Sequence, residues 1–392
     1  MNKKVMALAV AGALAAPAAA LAQVQIGGSL TVLWYSHDPD RPTASSGDIL
    51  EPSEPELYFR ASEKLGGGTT LWFQCATQLD AFIGGSNVAD GLCMRNSGVG
   101  FRGGFGNFFF GNWDTPNKLV QNRLRGWFSG TNALAGGSMR LLANASSSGV
   151  PNAIPEGSSA TATVGDGGNA QGTSFYRRQS NLVSYHSPNW GGFSFMAAFS
   201  ANNESTALAD SSGLTPRLLG INGQYASGPF YVGLAYEKHD DYNPGATATY
   251  VSGSDNNLTV VVGFRMAGFN VRAGYLANEY ETTSANTVET DGFAVAADWN
   301  ISGPHTLRAI YSTVDDPEGT AGSRAGSYTV GTARGADHMT IAYSYALSKR
   351  TEISAAANQI DNDTNATFGL GKVGASAGSK QSAVGLLLKH RF

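Results

Sequence analysis

Seven short turn signals divide this chain into runs of about ten residues in which apolar side chains alternate with polar or small ones. The turns fall at 64–68, 103–107, 187–192, 226–230, 266–270, 301–305 and 347–350. Seven hairpins supply fourteen strands, and runs at 26–35 and 381–392 bring the count to sixteen. Two-residue alternation also describes a soluble sandwich with one face on its core. Soluble strands, however, average about 5–6 residues, whereas about ten is the length a tilted strand needs to cross a bilayer. The pattern predicts an all-β fold: a 16-stranded antiparallel transmembrane β-barrel. An even strand number leaves both termini on one side and lets the last strand close on the first.

Eight longer connections alternate with the seven turns, at 36–55, 79–92, 112–174, 201–216, 238–256, 279–291, 313–336 and 359–380. Short turns on one side and long loops on the other are the asymmetry of outer-membrane barrels. Residues 1–22 have the form of an export signal. Lys3 and Lys4 open it, an apolar stretch follows at 5–14, and Ala20-Leu21-Ala22 forms a small-x-small cleavage site. Beyond it no apolar run reaches the ~18 residues of a transmembrane helix. Residues 23–392 show no linker and no change of texture, so they form one domain, the barrel.

Composition narrows the partners. Charged residues make up 14%, against about 25% in soluble domains, as expected of a chain whose outer face meets lipid. The formal net charge is −4 and becomes more acidic once Lys3 and Lys4 are removed, which argues against nucleic acid as a partner. The two cysteines, Cys75 and Cys93, flank the loop 79–92 near the ends of its strands. A cross-strand bridge suits an oxidising envelope, with two small buried thiols as the alternative. No metal-ligand spacing is present, and no cofactor is expected.

The two faces can be assigned strand by strand. Leu57, Phe59 and Ala61 oppose Tyr58, Arg60 and Ser62. Leu71, Phe73 and Cys75 oppose Thr70, Trp72, Gln74 and Ala76. Val183 and Tyr185 oppose Arg178, Ser180 and Ser184. Trp34, Tyr35, Trp190, Phe193, Phe230, Tyr231, Tyr242 and Phe269 lie near strand ends, where aromatic girdles meet the headgroups. In the last strand Val384, Leu386, Leu388, His390 and Phe392 share the lipid face, with Lys389 and Arg391 inward.

Several stretches carry a family likeness. They are Glu63-Lys64-Leu65-Gly66-Gly67-Gly68, Val99-Gly100-Phe101-Arg102-Gly103-Gly104-Phe105-Gly106 and Gly111-Asn112-Trp113-Asp114-Thr115-Pro116, followed by Ser187-Pro188-Asn189-Trp190-Gly191-Gly192-Phe193, Tyr343-Ser344-Tyr345-Ala346-Leu347-Ser348-Lys349-Arg350-Thr351 and the ending Lys389-His390-Arg391-Phe392. In these the chain resembles the Gram-negative outer-membrane general diffusion porins of the β-proteobacterial type. The resemblance implies a homotrimer in outer-membrane lipid with one aqueous pore per subunit, passing small hydrophilic solutes and ions. It also implies that the third loop, 112–174, folds into the barrel as a constriction, and that loop 79–92 reaches the neighbouring subunit.

The start of that third loop has helical signals of its own. Asp114 or Thr115 can cap a helix, Pro116 fits its first turn, and Val120, Leu124, Trp127 and Phe128 recur at helical spacing before Gly130. The Ser/Gly/Ala stretch 149–172 carries no such signal.

Charge rings at the narrowest point set porin selectivity. Alternation places Arg60 and Arg178 inward, so these are the foremost wall candidates. Arg95 resembles the family's arginine opening the fourth strand, although parity with Val99 and Phe101 turns it outward. Arg102 lies at the periplasmic end beside a turn. Many relatives oppose a basic wall with an acidic third loop, and this chain departs from that. Its loop carries Asp114, Glu156 and Asp166 against Lys118, Arg123, Arg125 and Arg140. If Arg123 and Arg125 reach the lumen, the constriction is basic on both sides and weakly favours anions.

Three rival readings fit less well. An outer-membrane enzyme would need a catalytic constellation, but the six histidines are scattered and no Gly-x-Ser-x-Gly or His-Glu-x-x-His motif exists. An adhesion or binding barrel would need polar outer faces. A substrate-specific channel for a sugar or organic anion is harder to separate: Trp72, Trp113 and Trp127 could form an aromatic slide, or serve the girdle and loop packing.

Overall fold

The computed structural model describes residues 24–40, 46–53, 55–79, 92–130, 142, 174–200, 217–240, 253–283, 286–325, 328–370 and 375–392. The export signal expected at 1–22, most of loop 79–92 and Arg140, Glu156 and Asp166 lie outside the described residues.

One sheet of 18 strands holds the chain together. Two of its members, Gly47–Pro52 and Glu318–Gly319, belong to connecting segments. The other sixteen are β1 (Gln25–Asp38), β2 (Glu56–Gly66), β3 (Thr69–Gln78), β4 (Ser97–Gly103), β5 (Gly106–Asp114), β6 (Arg178–His186), β7 (Phe193–Ser200), β8 (Arg217–Ser227), β9 (Phe230–Asp240), β10 (Ser254–Met266), β11 (Phe269–Thr283), β12 (Asn286–Ser302), β13 (His305–Val314), β14 (Ala336–Ala346), β15 (Thr351–Asn362) and β16 (Lys380–Arg391). Each pairs antiparallel with its sequence neighbours, and β1 pairs with both β2 and β16, from Ser29↔Arg391 to Asp38↔Ser382. The seam ends in a reciprocal backbone pair, with Gly28 N donating to Phe392 O at 3.2 Å and Phe392 N to Gly28 O at 3.1 Å. Closure matters in a bilayer because lipid cannot satisfy the N–H and C=O groups of an open edge.

All seven short turns join strands as the sequence indicates. The loops are a different matter. Gly47–Pro52 pairs with β1 from Val32↔Pro52 to His37↔Gly47, continuing the line of β2, so much of the expected loop 36–55 is strand. The expected loop 279–291 is a hairpin instead: β11 and β12 stay paired to Thr283↔Asn286. Alternating residues such as Tyr280 and Val288 are buried on the inner face there, and they sustain pairing beyond the bilayer-spanning length.

The apolar belt is the outer face. Phe73, Val99, Phe110, Leu219, Leu234, Val262, Val295, Ile341, Ile353 and Leu386 are all exposed, and their immediate sequence neighbours point the other way. Trp34, Trp190, Phe193, Phe230 and Phe269 join that outer face near strand ends, where aromatic rings suit the headgroup level. Tyr35 and Tyr231 do not: Tyr35 is buried, and Tyr231 sits inward beside the third loop. Adjacent residues of a strand face opposite ways, so one member of an aromatic pair must turn inward. Tyr242 lies outside the described residues.

Leu386, 57% exposed on β16, tests the assignment. Leu386→Arg should cost about 2–4 kcal/mol if it lies near mid-depth, read as a fall in the urea midpoint for folding into lipid vesicles. An unchanged midpoint would take this residue off the lipid face.

Candidate functional site

Past β5 the chain turns into the helix α1 (Pro116–Arg125). Of the two capping candidates, Thr115 does the work: its side chain accepts from Lys118 N at 3.3 Å, with Pro116 in the first turn. Gly126, at φ 55 and ψ −118, ends the helix in a positive-φ conformation that only glycine adopts readily, and a short 3₁₀ turn follows at Gly126–Gly130. Arg123 and Arg125 occupy the last turn, where positive charge complements the helix dipole.

The helix lies inside the closed sheet. Val120 and Leu124, both fully buried, pack with Ala235, Val261, Leu276 and Ala294, which point away from the outer belt. The wall leaves room for them. A Cβ on Gly274 would fall 2.6 Å from Leu124 Cδ2, and one on Gly233 would fall 3.1 Å from Val120 Cγ1. Polar contacts fix the register: Asn117 Nδ2 donates to Asn257 Oδ1 at 2.6 Å, Gln121 Nε2 to Thr259 Oγ1 at 3.2 Å, and Asn222 Nδ2 to Pro116 O at 2.7 Å.

Beyond the helix an ion ladder crosses four wall strands. Arg272 Nη1 meets Asp298 Oδ2 at 2.5 Å, Arg308 Nε is 3.8 Å from Asp298 Oδ1, and Arg308 Nη2 is 3.4 Å from Glu352 Oε2. Two members hold the loop itself. Arg272 Nε donates to Leu124 O at 3.0 Å, and Trp127 Nε1 donates to Glu352 Oε1 at 2.6 Å with Arg308 over its ring. Nothing in the local sequence pattern brings Arg272, Asp298, Arg308 and Glu352 together. Only their shared inward parity on β11, β12, β13 and β15 could have flagged them.

The charge candidates separate into two groups. Arg60 is exposed on the inner face of β2, where Gln74 Oε1 accepts from its Nε at 2.6 Å and its guanidinium lies 3.8 Å from the Tyr58 ring centroid. Arg123 is likewise exposed, 5.5 Å from the ring of inward-facing Tyr231. Neither forms an ion pair among the described residues. Arg102 is exposed beside the turn that joins β4 to β5, on the face opposite Val99 and Phe101.

The remainder are committed elsewhere. Arg178 was expected to line the wall but is 5% exposed, with Nη2 3.2 Å from Asp114 Oδ1 and Nε 2.6 Å from Asn96 Oδ1. The cause is a bulge. Asn181 adopts φ 54, and the β5–β6 register shifts between Gly111 and Trp113, so simple alternation fails at Arg178. Lys118 is buried and also pairs with Asp114 Oδ1, at 3.0 Å. Arg125 does not reach the lumen: it is 2% exposed, with Nη2 on Phe128 O at 3.1 Å and its guanidinium over the Tyr176 ring. Arg95 precedes β4, which begins at Ser97, and bonds Gln78 Oε1 at 3.2 Å. Asp114, the acid at the loop's start, is thus gripped by two cations.

Cys75 and Cys93 are bridged, with Cα atoms 4.5 Å apart. Trp113 packs edge to face with Phe109 and Trp72, and Trp72 lies tilted against Phe109, at centroid separations of 5.0–5.8 Å. Trp72 and Phe109 are buried, and Trp127 is tied to Glu352, so the three tryptophans do not form one open aromatic slide.

Residues 7–365 match the sequence family of Gram-negative porins. Over its whole length the chain is 25% identical to outer membrane porin protein 32 of Delftia acidovorans, covering 100% of both proteins. The fold is similar to that of an anion-selective porin from Comamonas acidovorans, at TM-score 0.72 and 19% identity, covering 95% of this chain and 100% of that one. It is also similar to OmpT of Vibrio cholerae in trimer form, at TM-score 0.62 and 13% identity over 94% of this chain and 99% of that one.

Proposed function

The chain belongs to the family of Gram-negative porins, and from that premise we propose that this passive outer-membrane diffusion channel prefers small anions, acts as a homotrimer and is exported through a cleaved signal at residues 1–22. Transport needs no energy input. Lipid-facing apolar residues and the closed backbone pairing hold a polar inner face around water, and small hydrophilic solutes move down their gradients.

The observation that carries the anion preference is the imbalance of free charge on the inner side of the barrel, on the wall and on the third loop. Arg60 and Arg123 face inward without an ion-pair partner among the described residues, while Asp114 is neutralised by Lys118 and Arg178. Two uncompensated cations near a constriction raise the local anion concentration. Arg102 adds a third at the periplasmic mouth. The anion selectivity of the Comamonas porin supports the charge preference, and the trimer form of OmpT supports the homotrimer.

Purified protein in a planar bilayer under a salt gradient tests the reading. Conductance that closes in three steps, with a zero-current potential on the anion side, is expected. A cation-side potential would overturn the electrostatic reading alone, and single-step closure the trimer. No conductance from folded protein would overturn the channel.

A further inference from the structure

The described residues contain a polar relay that reaches Arg60 along the pore wall. It begins at the Cys75–Cys93 disulfide. Cys75 adjoins Gln74 on β3, and Cys93 lies three residues before Asn96. Asn96 bonds in three directions. Its Nδ2 donates to Asp114 Oδ2 at 3.0 Å, and its Oδ1 accepts from Asp114 N at 3.0 Å and from Arg178 Nε at 2.6 Å. Its backbone carbonyl accepts from Gln74 Nε2. Gln74 Oε1 in turn accepts from Arg60 Nε.

Two consequences follow from this connectivity. Asp114 is the last residue of β5 and Arg178 the first of β6, so one side chain joins the two ends of the third loop. The amide of Gln74 cannot rotate freely either, because Nε2 is engaged by Asn96 O while Oε1 faces the guanidinium. A Gln whose two ends are both bonded is a fixed acceptor, and it fixes the arginine against Tyr58. The disulfide holds Asn96 beside Gln74 by tying the segment before β4 to β3.

We infer that Asn96 and Gln74 are positioning residues for selectivity: held by the Cys75–Cys93 bridge, they aim the Arg60 charge although Asn96 itself is not a wall cation. The inference rests on the proposed role of Arg60 in anion preference. It adds that selectivity depends on neutral residues and on the oxidation state of a disulfide.

The test is the anion-to-cation permeability ratio of reconstituted channels, taken from zero-current potentials for the unmodified protein, Gln74→Ala, Asn96→Ala and Arg60→Ala, with detergent-resistant barrel migration as the folding check. Gln74→Ala and Asn96→Ala should each lower the ratio by about two-fold, because a mobile guanidinium spreads its charge over a larger volume. Gln74→Ala should have no further effect in the Arg60→Ala background, which a general loosening of the wall would not reproduce. Reducing the disulfide in the folded protein should lower the ratio in the same direction, a reading that survives even if Asn96→Ala fails to fold. Unchanged ratios in Gln74→Ala and after reduction would overturn the inference, as would a Gln74→Ala effect that persists without Arg60. If the unmodified channel prefers cations, or Arg60→Ala leaves its ratio unchanged, the proposed role of Arg60 fails instead.

Discussion

Replacing Arg60 and Arg123 together by Ala should move the zero-current potential in a salt gradient from the anion side to near zero, with little change in the passage of small neutral solutes. The two guanidiniums are exposed, one on the inner face of the wall and one on α1, and share no carboxylate among the described residues. A permeating anion about 4 Å from one unit charge gains about 1 kcal/mol at the dielectric of bulk water and about 4 kcal/mol at an effective value of 20. About 1.4 kcal/mol is a tenfold bias, so even the weaker limit gives each arginine a several-fold preference. Screening sets a second expectation. The Debye length falls from about 10 Å at 0.1 M salt to about 3 Å at 1 M, so the preference of the unmodified channel should weaken steeply over that range. Arg125→Ala is the internal control: its guanidinium is buried against Phe128 and Tyr176, and selectivity should stay where it is. A double variant that keeps its anion preference would place the selective charge outside these two residues.

The sequence made the barrel legible because two local signals repeat. Alternation with a period of two fixes which residues meet lipid, and the turn signals fix where one strand ends and the next begins. The helix was legible for the same reason, since Thr115, Pro116, Val120 and Leu124 all act within one local segment. Where reading failed, the determinant was not local. Arg178 departs from alternation because the bulge at Asn181 resets the strand, and φ 54 at an Asn leaves no mark on the pattern of polar and apolar residues. Arg125 sits two residues from Arg123 on the same helix, yet one is buried and the other exposed. That difference follows from which side of α1 meets the wall, and charge counting along the loop cannot supply it. The β11–β12 hairpin carries the polar look of a loop because pairing outside the bilayer needs no apolar outer face.

Asp298→Ala should produce the largest structural effect, because Asp298 is the shared carboxylate between two arginines on neighbouring wall strands. Its removal leaves Arg272 and Arg308 as like charges on one poorly solvated surface, with side-chain exposures of 7% and 12%. Breaking a buried pair from one side costs about 3–5 kcal/mol, since the remaining charge stays desolvated without its partner. Arg308 retains Glu352, so the deficit falls chiefly on Arg272, which also holds Leu124 O at the end of α1. A guanidinium that relaxes toward water releases that carbonyl, and the C-terminal end of the helix loses one of its holds on the wall. The expected result is a lower thermal midpoint of the folded barrel together with larger, noisier single-channel conductance. Asp298→Asn should fall between, keeping an acceptor for Arg272 Nη1 without the charge. Adding Arg272→Met to Asp298→Ala removes the stranded cation, so it should recover part of the lost stability while leaving Leu124 O without its donor and the current noisy. A barrel destabilised without any change in current would separate the ladder from the constriction and leave it a feature of the wall alone.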